Sequence, residues 1–150
     1  MLPVEVKREL DVLSRKGRLQ LEKECFQHGD TTVLEHSIKV AVLSLWLVKF
    51  LNINVNRRAL IRGALLHDYF LYDWHDKDHG HRPHGFTHPK TALKNAKQDF
   101  ALSGIEKNII LTHMFPMVPL PPKCREAWIV CMVDKYCATR ETLRGFGVGR

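Results

Sequence analysis

Residues 32–51 read TVLEHSIKVAVLSLWLVKFL, and this stretch decides the fold. Its apolar positions cover almost the whole circumference of a helix, which predicts a central helix covered on most sides by others. The longest apolar run, Val40 to Val48, is interrupted by Ser44 and stopped by Lys49. That is too short for a bilayer, which needs roughly 20 apolar residues. No membrane partner is expected, and a cytoplasmic protein is. The charged N-terminus, MLPVEVKREL, has no continuous apolar core of the kind a secretory signal carries.

Working outward, other helical patterns flank this one. Upstream, Leu2, Val6, Leu10 and Leu13 recur at helical spacing, with Pro3 in the first turn and Gly17 as a stop. Leu19 to Phe26 reads as a short second helix, and Asp30 or Thr31 offers an N-cap for the central one. Downstream, Leu60, Ile61, Ala64, Leu65 and Leu66 run into His67-Asp68. Residues 72–87 are polar and rich in histidine, glycine and proline, as suits a functional loop. Pro89 fits a first helical position, with His88 at the cap. Further helices are predicted over 105–114 and 123–143, the latter with Trp128, Cys131 and Met132 among its apolar positions. Residues 144–150 are expected to form a loose tail. The fold expected is all-α, a single-domain bundle of about six or seven helices over 1–150.

Composition excludes other classes. With 45% hydrophobic and 26% charged residues in 150, the chain is neither disordered nor a disulfide scaffold. Cys25, Cys124, Cys131 and Cys137 form no CxxC pair and are expected to be reduced thiols. A net charge of +7 suits either nucleic acid or a small phosphorylated substrate, both drawn to a positive field.

The chemistry lies in polar residues that occupy apolar rows. His36 continues the row of Val33, Val40, Leu43 and Leu47. His67 and Asp68 extend Leu60-Ala64 and Ile61-Leu65, His113 extends Ile105-Ile109, and Asp134 extends Ala127-Cys131. Isolated buried carboxylates cost several kcal/mol (roughly) unless paired, and these rows offer no Lys or Arg. A bound divalent ion is the simplest counter-charge. Imidazole with carboxylate and no thiolate favours iron, manganese, cobalt, nickel or zinc in one or two sites.

In this order, His36, His67-Asp68 and Asp134 resemble the H…HD…D signature of the HD-domain metal-dependent phosphohydrolases, over about residues 30–142. His88 and His113 stand where binuclear members supply further histidines, with His84 or His81 as alternatives to His88. Such members include small bacterial diadenosine-tetraphosphate hydrolases and cyclic-dinucleotide phosphodiesterases. The latter typically follow the HD pair with Gly-Lys and carry a Gly-Tyr-Pro element. Here the pair runs into Tyr69-Phe70-Leu71-Tyr72 and no Gly-Tyr-Pro occurs, which disfavours that branch.

The resemblance implies a metal-activated water that cleaves a nucleotide-like phosphomonoester, phosphodiester or pyrophosphate, with metal ligands His36, His67, Asp68, His88, His113 and Asp134. Asp68 would bridge two ions, Lys135 would touch phosphate, and His84 in the His-rich loop would protonate a leaving oxygen. His75, His79, His81, Lys77, Arg82 and Lys90 line the same expected entrance. Trp74, Phe86 and Phe115 are candidates for stacking on a base, and Glu35 for orienting water. Two other readings compete: a non-enzymatic basic nucleic-acid-binding module, and a di-iron oxygenase on the same helical fold.

Overall fold

The computed structural model describes residues 1–28, 30–70 and 84–147. Six α-helices form the body among these residues: α1 (Val4–Lys16), α2 (Val33–Phe50), α3 (Arg57–Leu66), α4 (His84–Asp99), α5 (Gly104–Thr112) and α6 (Arg125–Gly147). The all-α expectation holds. One small addition is a two-stranded antiparallel ribbon, β1 (Phe26–His28) with β2 (Thr31–Thr32), leading into α2.

Local chemistry sets the helix ends. Thr32 caps α2 in a reciprocal box: its Oγ1 accepts from the Glu35 N–H at 3.2 Å, and Glu35 Oε2 accepts from the Thr32 N–H at 3.0 Å. The cap is therefore Thr32, one or two residues later than expected, because only Thr32 has a Glu three residues on. Glu35 is spent on this cap. At the other end Asn52 turns left-handed (φ 51°), and the Ile53 N–H reaches back to Val48 O at 2.9 Å. Ser103 and Glu106 repeat the capping box on α5, while Asn56 Oδ1 caps α3 through the Ala59 N–H.

α2 sits centrally, packed against α3 and α6, and α5 packs on both of the latter. α3 and α5 approach closely at Gly63, where a Cβ would lie 2.4 Å from Ile109 Cδ1. The core around them includes Val40, Leu45, Leu60, Leu65, Ile109, Ile110 and Val130.

Three segments differ from the sequence expectation. Leu19–Lys23 is a 3-10 turn, and the following residues pair as β1 instead of prolonging a helix. α4 begins at His84, so Pro89 lies inside it, in the second turn, and not at its first position. α6 runs to Gly147, past the residue where a loose tail was expected. Trp128 and Met132 are 41% and 56% exposed. The buried stripe of α6 follows Ala127, Val130, Cys131 and Asp134, along the row expected to carry Asp134 inward.

Candidate metal centre

Five helices bring six side chains together. His36 comes from α2, His67 and Asp68 from the turn that closes α3, His88 from α4, His113 from the end of α5, and Asp134 from α6. All six are buried. Two sets of donor atoms result, each lying within 4.8 Å: His36, His67, Asp68 and Asp134 form one, and Asp68, His88 and His113 the other.

Asp68 stands between the sets with one oxygen toward each. Its Oδ2 is 3.2 Å from His67 Nε2 and 3.8 Å from His36 Nε2. Its Oδ1 is 3.2 Å from His88 Nε2 and 3.3 Å from His113 Nε2. Asp134 Oδ1 lies 2.8 Å from His36 Nε2 and 3.3 Å from His67 Nε2. His88 and His113 face each other through their Nε2 atoms at 2.8 Å.

The far sides of three rings are fixed in one way. His67 and His113 are the C-cap residues of α3 and α5. Each directs Nδ1 at the carbonyl three residues earlier, Ala64 O at 2.6 Å and Ile110 O at 2.8 Å. A carbonyl only accepts, so Nδ1 carries the hydrogen, and in the neutral ring the lone pair falls on Nε2. Helix ends that leave carbonyls unpaired thereby orient two ligands. His36 Nδ1 donates instead to Glu141 Oε2 at 2.8 Å, while Lys39 holds the other Glu141 oxygen at 3.4 Å. Glu141 escaped the sequence reading, although it follows Asp134 by seven residues and so shares its face of α6.

The turn carrying the HD pair is anchored from α4 and from the end of α1. Asn95 Nδ2 donates to Tyr69 O at 3.1 Å and Phe70 O at 3.0 Å. The Tyr69 hydroxyl donates to Asp99 and accepts from the Arg18 N–H, both at 2.6 Å. The Arg18 guanidinium closes this loop on Asp99.

Electrostatics follow from crowding. Burial opposes a charged imidazole at His36, but hydrogen bonds to Asp134 and Glu141 and the field of Asp68 outweigh it and raise its pKa to about 9. His67 is likewise buried yet held well above the usual imidazole value by Asp68 and Asp134. Burial lowers His113. Asp68 and Asp134 are buried too, but the surrounding histidines hold both below the ordinary carboxylate range. Without an ion, then, protons on His36 and His67 balance the carboxylates.

A divalent ion fits this arrangement. His67 Nε2 is buried and faces two carboxylates, Asp68 at 3.2 Å and Asp134 at 3.3 Å. The donors are imidazole nitrogens and carboxylate oxygens, the set that borderline divalent ions take.

Other expected site residues lie differently. The Lys135 ammonium donates to His113 O at 2.9 Å, Cys131 O at 3.4 Å and Cys131 Sγ at 3.1 Å. Three N–H donors on three acceptors leave none over. Phe115 packs edge-on against Trp128, ring centroids 5.6 Å apart. His84 begins α4, but its side chain, that of Phe86, and all of Trp74, His75, Lys77, His79, His81 and Arg82 lie outside the described residues. Lys90 is exposed on α4.

The family comparison agrees with this constellation. The HD domain model matches residues 33–139, more than two thirds of the chain. The chain belongs to the HD domain family. Members are typically metal-dependent phosphohydrolases, and the matched span of this HD domain contains all six clustered residues, leaving Glu141 just outside. No curated protein and no solved structure matches the chain. Among the described residues of the HD domain, no helix is long and apolar enough to cross a membrane.

Proposed function

We propose that this HD domain is a metal-dependent phosphohydrolase whose substrate is a nucleotide-like phosphomonoester, phosphodiester or pyrophosphate. The observation that carries the reading is Asp68, with one oxygen facing each of two donor sets. In this reading His36, His67, Asp68 and Asp134 hold one ion, and Asp68, His88 and His113 hold a second.

A divalent ion bound there supplies a water that ionises near neutral pH and positive charge for the phosphoryl oxygens. The chain supplies geometry. Nδ1–H bonds to Ala64 O and Ile110 O keep the His67 and His113 lone pairs inward, and Glu141 does the same for His36. Lys135 is a positioning residue that ties the end of α5 to α6. The dry surroundings strengthen every charge contact in the centre. A positive chain, +7, favours the approach of a phosphorylated anion.

The test begins with metal analysis of the protein as purified. Phosphate release is then followed with bis-p-nitrophenyl phosphate, nucleoside monophosphates and dinucleoside polyphosphates in Mn²⁺ or Fe²⁺. Turnover that a chelator abolishes and the ion restores is expected. A protein that takes up no ion would refute the proposal, as would one that consumes oxygen and releases no phosphate.

A further inference from the structure

Among the described residues, the buried acids have partners, with one exception. Glu9 meets Arg58 at 3.3 Å, Glu106 meets Arg62 at 3.0 Å, Glu126 accepts from the Asn56 N–H at 2.8 Å, and Glu141 holds His36. Glu22, on the 3-10 turn, is 1% exposed, and neither carboxyl oxygen has a hydrogen-bond partner among the described residues. A buried polar group left unpaired is a costly defect that an apolar residue of similar size would remove.

Its surroundings say what the missing partner is. The 3-10 turn packs on α2, the helix of His36. The ionisable groups whose fields reach Glu22 are Asp68 and His67, both at the heart of the centre. Among the described residues, no Lys or Arg makes an ion pair with it. We infer that Glu22 belongs to the metal centre as the hydrogen-bond partner of the water that occupies it. Its two oxygens, buried and unpaired, are there to accept the hydrogens of such a water. The inference rests on the reading of the centre as a metal site.

Glu22→Leu separates this role from a packing role because it should act with opposite sign in the two forms of the protein. With chelator present the apolar side chain removes the defect, and the melting temperature should rise by about 2–4 °C. Affinity for Mn²⁺, read by chelator competition, should fall roughly 10–100-fold, as when support around metal ligands is lost. A Leu variant with wild-type Mn²⁺ affinity would overturn the inference. If that variant does not fold, the nearly isosteric Glu22→Gln identifies the infrared band of the Glu22 carboxyl by difference. The band should shift when Mn²⁺ is added to the wild-type protein, and a band indifferent to Mn²⁺ would also overturn it. Wild-type protein that binds no Mn²⁺ would remove the metal reading and this inference together. Binding with Glu22 indifferent removes the inference alone.

Discussion

Asp68→Asn keeps the shape of the side chain and removes both its charge and one of its oxygens. Because each Asp68 oxygen serves a different donor set, the new amide must turn its NH₂ toward one set whichever way it lies. An NH₂ cannot ligate an ion, and the remaining oxygen carries no formal charge. Both ions should therefore be weakened. Asp134→Asn provides the contrast, since Asp134 Oδ1 approaches only His36 at 2.8 Å and His67 at 3.3 Å, and should cost one ion of two. In the metal-free protein the loss appears as stability. His36 and His67 keep raised pKa values because of the carboxylates beside them. Removing one partner of a buried charge pair costs about 3–5 kcal/mol. At about 2–4 °C per kcal/mol for a domain of this size, the melting temperature should drop by roughly 6–20 °C. Metal content after dialysis against excess Mn²⁺ and circular-dichroism melts in chelator measure the two effects. An Asp68→Asn protein that retains two ions, or melts within about 1 °C of wild type, would refute the bridging geometry.

Glu141→Ala should leave the helices intact and weaken Mn²⁺ binding roughly 10–100-fold by freeing the His36 ring; unchanged affinity in chelator competition would show that Asp134 alone orients His36. Metal uptake should also depend on pH. The His36 pKa of about 9 lies above its ordinary value, so protonation stabilises the metal-free fold fully below pH about 6.5, and this contribution fades as pH climbs through 9. Nε2 must shed that proton to ligate, so Mn²⁺ affinity should rise by about tenfold per pH unit for each proton displaced, with protons released to an indicator dye; a flat profile from pH 6.5 to 9 would contradict the assignment. Gly63→Ala places a methyl 2.4 Å from Ile109 Cδ1 and should destabilise by about 1–3 kcal/mol. It should also weaken the second ion, because it pushes the helix ending at His67 from the one ending at His113; wild-type metal stoichiometry and melting would show that the helices part without strain.

Much of the centre was legible because helical periodicity points residues inward regardless of distance along the chain. His36, His67, Asp68, His113 and Asp134 each extended an apolar row, and the structure converges those rows. Trp128 and Met132 are apolar positions of the last helix too, but they lie off the Ala127-Cys131-Asp134 row and the structure has them outside. A long helix packed on only part of its circumference has two candidate stripes, and tertiary contacts choose between them. Glu141 was within reach of the periodicity argument, but an acid near a helix C-terminus looks like an ordinary surface residue until His36 is known to lie opposite. Glu22 was beyond it. A 3-10 turn has a different angular step from an α-helix, so reading Leu19 to Phe26 as a short helix gave no inward row on which Glu22 would stand out. Pro89 misled because proline favours the first helical position, whereas α4 begins five residues before it.

The clasp between His36 and the pair Asp134 and Glu141 joins positions about a hundred residues apart. A ribosome-bound chain that has emerged through α5 already possesses every imidazole of the cluster, yet lacks two of the carboxylates that complete it. If the centre holds metal as proposed, tight loading during synthesis would wait for the final helix to dock. Bound metal would then serve as a receipt for completed folding, and a prematurely released fragment would be a poor competitor for scarce ions.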